Sequence, residues 1–146
     1  MKDITEILTI LQSRGCRLTP VRYAILKLFI SKHEPLSSRN IQETLASQKM
    51  PVNKTTVYRE LDFLKNQKII EEFQFNDRIK RYEIISGHHH HLVCIYCNKV
   101  ECVVLDQDLE KQEKKIAKDK NFKIINHSLE FYGVCRKCQI THKRYD

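Results

Sequence analysis

Apolar positions along the first seventy residues recur at helical spacing. Ile4, Ile7, Leu8 and Leu11 follow the i, i+3, i+4, i+7 stripe of a half-buried helix, and Gly15 ends it. Thr19-Pro20 couples an N-cap to a proline in the first turn. The helix it opens turns Ala24, Ile25, Leu28 and Phe29 inward. Ser37 caps a third helix with Ile41 and Leu45 on its apolar side, and Pro51 breaks the chain. Asn53-Lys54-Thr55-Thr56 then precedes a fourth helix, opened by Tyr58 and Arg59 and striped by Val57, Leu61 and Leu64. After Ile69-Ile70 the period changes to two. Phe73 and Phe75 are expected to pair with Tyr82 and Ile84 across the turn signal Asn76-Asp77. Helices followed by a short hairpin outline a winged helix-turn-helix.

Past Ser86-Gly87 the pattern changes. Leu92 to Ile95 and Val100 to Val104 read as short strands joined through Cys97-Asn98-Lys99. Asp106 is placed to cap a helix whose inner face is Leu109, Gln112 or Glu113, Ile116 and Ala117. Phe122 to Tyr132 alternates as a strand, with Ile125, Leu129 and Phe131 on one side. The expected fold class is therefore α+β: a winged helix-turn-helix domain over residues 1–85, then a small α/β domain over residues 86–146. At about 60 residues, the second domain is near the size at which a metal is needed to hold a fold.

Composition narrows the function. The chain has 146 residues, with 26 Lys+Arg against 18 Asp+Glu and a formal net charge of +8. A 41% hydrophobic share, with only 3 Gly and 3 Pro, argues for a packed core over a disordered chain. No run approaches the roughly 18 apolar residues of a membrane helix. Met-Lys-Asp leads straight into an amphipathic pattern, so no signal peptide and a cytoplasmic location are expected. In that compartment six Cys read as metal ligands or redox groups before disulfides. Residues 1–87 hold a single Cys and a single His, and five Cys and six His follow them. The larger positive excess lies in the first half, +5 against +3. Metal chemistry is thus placed in the second half and an anionic partner beside the first.

Cys94-x-x-Cys97 and Cys135-x-x-Cys138 begin 41 residues apart. Each CxxC turn presents two thiolates to one ion, and two such turns close the tetrahedron of a structural Zn2+. The rival is a thioredoxin-type pair, which needs a CxxC at a helix N-terminus; neither pair is expected to open a helix. Four consecutive histidines, His88 to His91, precede the first pair. In an extended segment His88 and His90 point one way, His89 and His91 the other, so the run serves two metal sites. The alternative is a solvated polar linker. Glu110 and His127 suit one pair; Glu83 and Cys102 suit the other. Imidazole with carboxylate fits Fe2+, Zn2+, Mn2+ or Ni2+.

The fourth helix is the one a winged helix lays in the major groove. Arg59 is suited to a guanine edge and Tyr58 to a thymine methyl. The helix N-terminus, with the Thr55 and Thr56 hydroxyls, suits a phosphate. Arg14, Arg22 and Lys54 are candidate phosphate contacts. Singly, each of these is as well explained as a solvated surface charge.

Four segments together resemble the ferric uptake regulator family of bacterial metal-sensing repressors. They are Arg17 to Arg22 (RLTPVR), Thr55-Thr56-Val57-Tyr58-Arg59-x-Leu61, the block HHHHLVCIYC from His88 to Cys97, and Asn126 to Cys138. The resemblance implies structural zinc on Cys94, Cys97, Cys135 and Cys138. It implies a sensing site at the domain junction that includes Glu83, His89 and His91, and a further site from His88, His90, Glu110 and His127. It implies that the C-terminal domain dimerises, that Arg17 enters a minor groove, and that the partner is a double-stranded, palindromic DNA operator. Neither a membrane nor a small-molecule substrate is implied.

Two positions depart from the family pattern. The family's hinge histidine falls where this chain has Pro35, with His33 two residues earlier; His33 is either a sensing ligand or an exposed loop residue. The position eight residues after Cys94 is commonly Asp or Glu in iron and peroxide sensors, and here it is Cys102. A thiolate there favours zinc over iron; the rival is a buried, apolar cysteine. Regulation by Fe2+ or Zn2+ is expected. A peroxide sensor fits less well, because Glu83 stands where that subgroup uses Asp. A constitutive zinc-stabilised DNA-binding protein would leave six clustered His unexplained. An enzyme is not expected: HExxH is absent, as is H-x-E with P-C-x-x-C.

Overall fold

In the computed structural model, which describes residues 3–87, 89–105 and 109–141, the chain divides into two compact units, Met1–Gly87 and His88–Asp146. The first contains α1 (Ile4–Ser13), α2 (Pro20–Lys32), β1 (Leu36–Ser37), α3 (Ser38–Ser47), α4 (Lys54–Asn66), β2 (Ile70–Gln74) and β3 (Lys80–Ile84). Helix starts follow the capping residues. Asp3, Thr19, Ser37 and Asn53 each accept from a backbone N–H three residues on. Ser37 and Asn40 reciprocate as a capping box. Gly15 turns the chain after α1 at φ +69. The stripes Ile7/Leu11, Ile25/Leu28/Phe29, Ile41/Leu45 and Val57/Leu61/Leu64 meet in one buried core, which Leu26, Ile69, Ile70 and Tyr82 complete.

The wing has three strands in the order β1-β3-β2, all antiparallel. Leu36–Ser37 is an edge strand that two residues are too few to announce. The expected hairpin register is corrected: Tyr82 lies opposite Glu72, Ile84 opposite Ile70, and Phe73 opposite Arg81. Phe73 on β2 and Phe75 just past its end instead lie against each other, ring centroids 5.3 Å apart. The register is shifted because Arg81 is bound inward. Its guanidinium holds Asp77 at 2.6 Å and lies 5.5 Å from the Phe75 ring.

The second unit contains β4 (His90–Cys94), β5 (Val100–Val103), α5 (Glu110–Asp119), β6 (Glu130–Gly133) and α6 (Arg136–Thr141). The sheet order is β5-β4-β6, with β4–β5 antiparallel and β4–β6 parallel. The long strand expected over 122–132 is corrected to β6 alone. Residues 123–129 find no ladder partner among the described residues, and Ile125 is 89% exposed. Helix α5 begins at Glu110 without a side-chain cap; the expected cap, Asp106, lies outside the described residues. No described helix is long and apolar enough to cross a membrane.

Candidate metal centres and nucleic-acid interface

Strand pairing explains why four distant thiols meet. Because β4 and β6 run parallel, with Cys94 opposite Gly133, both chains leave the sheet at the same end. Cys94 closes β4, Cys97 sits in the following turn, Cys135 precedes α6, and Cys138 lies one helical turn on. The four sulfurs all lie within 4.8 Å of one another. Cys97 Sγ is 3.7 Å from Cys135 Sγ, and the Cys135 backbone N–H donates to Cys94 Sγ at 3.4 Å. Burial disfavours a thiolate at Cys94, but N–H groups of Cys135, Cys97 and Tyr96 point at its sulfur and bring its pKa down to about 6. Cys138 is pushed up to about 12, by burial first and then by hydrogen bonds to its sulfur neighbours. The donor set of four converging sulfurs fits tetrahedral Zn2+. The expectation that neither CxxC opens a helix is corrected: Cys135 stands immediately before α6 and accepts the first intrahelical bond, from Gln139 N–H. It is the convergence of all four sulfurs that separates this site from a redox pair.

His90 and His91 open β4 and alternate as a strand requires. His89 and His91 lie edge to face with centroids 5.0 Å apart. His91 is the cross-strand partner of Cys102 on the β4–β5 ladder, and His89 stands two residues before His91, just ahead of β4. Their ligand atoms lie within 4.8 Å of one another. Glu83, the carboxylate assigned with them, is buried on β3 of the other unit. His33 is the exposed residue that ends α2 in a left-handed conformation.

On the opposite parity, His90 is buried and its ring lies 5.5 Å from that of His127. The carboxylate bonded to His127 Nδ1 is Glu113, not the expected Glu110. Glu110 is one turn earlier on α5 and pairs with Lys114 at 2.7 Å. His88 lies outside the described residues. Sequence spacing selected Glu110; Glu113 carried a signal too, as a candidate for the inner face of the helix.

In the first unit α4 begins at Lys54, so Thr55 and Thr56 lie in its first turn and Tyr58 and Arg59 in the second, not at its opening. Thr55 and Arg59 are exposed, and Arg59 makes no ion pair with any described residue. Tyr58 is half-buried, its hydroxyl accepting from Ser38 at 3.1 Å, with Lys54 Nζ 5.7 Å from its ring centroid. Arg17 is exposed in the loop after α1. The placement of Arg22 among surface phosphate contacts is corrected. Its side chain is only 10% exposed, bonded to Glu60 at 2.8 Å and to the Arg17 carbonyl, and stacked 3.5 Å over the Phe63 ring. A guanidinium so engaged ties α2 to α4 and fixes the loop that carries Arg17.

A sequence profile described as the ferric uptake regulator family matches residues 13–132. The ferric uptake regulation protein of Bacillus subtilis (strain 168) is 35% identical over 133 residues, covering 88% of this chain and 89% of that protein. The peroxide-responsive repressor PerR of Staphylococcus aureus (strain USA300) is 29% identical over 137 residues, covering 94% and 92%. The solved structure of the Vibrio cholerae ferric uptake regulator aligns with a TM-score of 0.74 at 29% identity, covering 87% of this chain and 98% of that one. With two clusters of metal-ligating side chains and a winged helix already in view, the chain belongs to the ferric uptake regulator family of metal-responsive transcriptional regulators.

Proposed function

We propose that this protein is a cytoplasmic, homodimeric repressor that binds a palindromic operator upstream of metal-uptake genes when Fe2+ or Zn2+ occupies its sensing site. The observation that carries the reading is the cluster of His89, His91 and Cys102, separate from the four-thiol site. A zinc-stabilised protein without sensing needs only the quartet. Glu83 is assigned as the fourth ligand. It lies six residues before His89, and its carboxylate is buried on the wing strand. His33 is a further candidate donor from the same unit.

Ligands drawn from both units tie the winged helix to the dimerising unit. That restricts the spacing of two α4 helices across a dimer, and half-site spacing decides whether both enter successive major grooves. Apo protein spends part of its time in arrangements that cannot bind, and its apparent affinity is lowered by that fraction. Thr55, Thr56, Tyr58 and Arg59 read the groove, and Arg17 contacts DNA beside it. Val104, Ile116, Phe122 and Ile125 are 52–89% exposed in the second unit. Such apolar surface is what a second copy would cover. His90 and His127, with Glu113 or Glu110 and His88, form the additional site.

Selection of genomic fragments by the purified protein, with and without a chelator, tests this. Metal-dependent recovery of palindromic sites upstream of uptake genes is the expected result. Equal recovery with the chelator present would favour a constitutive DNA-binding protein.

A further inference from the structure

Ser38 is the first residue of α3, but the capping of that helix does not use its side chain. Ser37 Oγ accepts the Asn40 N–H, and the Ser37 N–H donates to Asn40 Oδ1, so the box closes one residue earlier. The Ser38 hydroxyl instead leaves its own helix and donates to the Tyr58 hydroxyl oxygen on α4, 20 positions on, at 3.1 Å. Tyr58 is held a second time from one turn earlier on α4, where Lys54 Nζ lies 5.7 Å from its ring centroid. Ile41 and Leu45 of α3 share one buried core with Val57 and Leu61 of α4, so Ser38 is a fixed post for the ring it holds.

Resting on the base reading by Tyr58 proposed above, we infer that Ser38 is a positioning residue for DNA recognition: by anchoring the Tyr58 hydroxyl to α3, it fixes the aromatic ring for contact with a thymine methyl. An unanchored tyrosine on a helix surface samples several χ1 wells and a broad χ2. Freezing such a side chain at the moment of binding lowers affinity, and a ring already held avoids that loss. With its oxygen engaged at α3, Tyr58 is left to offer the groove its apolar ring, which suits the methyl group that marks thymine in the major groove. The effect of Ser38 is therefore confined to the base that Tyr58 meets. Loss of a phosphate contact would instead weaken every sequence alike.

Operator duplexes in which single thymines are replaced by deoxyuridine remove one methyl at a time. Full-length, metal-loaded protein should lose about fourfold in affinity at one thymine per half-site, the worth of burying one methyl group. In Ser38→Ala the same replacement should cost less than about twofold, with the salt slope of binding unchanged. Tyr58→Phe keeps the ring and removes the oxygen that Ser38 holds. It should reproduce Ser38→Ala, and the double variant should lose nothing more. An undiminished methyl penalty in Ser38→Ala overturns the inference and leaves the reading by Tyr58 intact. A Tyr58→Phe loss larger than that of Ser38→Ala also overturns it, because the hydroxyl then reaches DNA itself. A wild-type protein that binds its operator but is indifferent to every deoxyuridine refutes the thymine reading of Tyr58, and the inference with it.

Discussion

Arg59 and Arg22 are both arginines near α4, and their environments give them opposite roles. Arg59 is exposed without an ion pair to any described residue, whereas Arg22 is sandwiched between Glu60 and Phe63. Arg59→Ala should weaken operator binding by about 1–3 kcal/mol and relax specificity at one base step. Its melting temperature should stay at the wild-type value. Arg22→Ala leaves Glu60 buried without its partner and should destabilise the first unit by about 3–5 kcal/mol. Urea denaturation followed by circular dichroism separates the two. A normal midpoint for Arg22→Ala would return it to the surface contacts. From sequence both residues read as DNA contacts, Arg59 to a base and Arg22 to a phosphate, because the Glu60 partner that engages Arg22 lies 38 positions away. The four thiols were legible because CxxC spacing is itself a geometric statement. The Glu113 contact to His127 was not, because helical spacing does not say which carboxylate of α5 meets the imidazole.

At the scale of elements, the wing hairpin carries a pH signature. Glu72 is held below the usual carboxylate range, chiefly by its hydrogen bond from Lys65 and next by that from Lys80. Asp77 is lowered mainly by its hydrogen bond from Arg81. A carboxylate whose folded pKa lies below its unfolded value stabilises the fold above that unfolded value, about 4. The contribution is lost as pH falls through the lowered folded value. Stability should therefore decline as the solution is acidified past about pH 4, and Glu72→Gln should flatten that decline. An unchanged acid limb in Glu72→Gln would mean that the lysine contacts are too well screened to matter. The other informative element is the parallel β4–β6 pair, which delivers both CxxC turns to one end of the sheet. Cys138→Ser should lose zinc and unfold the second unit while the first unit's helices persist, because metal-binding energy there is folding energy. Zinc content and dimer state, read by metal analysis and light scattering, check it; a dimer with full thermal stability would contradict it. Helices α1 to α4 were legible from their caps and stripes, whereas α6, a helix of six residues with no expected cap, was not. The hairpin register was not, because it turns on a buried Arg81–Asp77 pair that alternation ignores.

For the whole molecule, the strand that failed to form is informative. The alternation over 122–132 asks for a covering layer, and in a single chain Phe122 and Ile125 remain 67% and 89% exposed. The second copy proposed above would supply that layer. Ile125→Glu should therefore yield monomers in sedimentation experiments with the four-thiol zinc retained. A wild-type dimer in that variant would place the interface elsewhere. Dimerisation and sensing meet in the operator complex, where two reading helices must be correctly spaced at once. The most direct test is the operator affinity of one preparation in two states: quartet zinc only, and quartet zinc with the His89–His91–Cys102 site loaded. Fluorescence anisotropy at fixed ionic strength should show tighter binding in the loaded state, with His89→Ala and His91→Ala held at the weaker affinity whatever metal is added. Equal affinity in the two states would contradict the account.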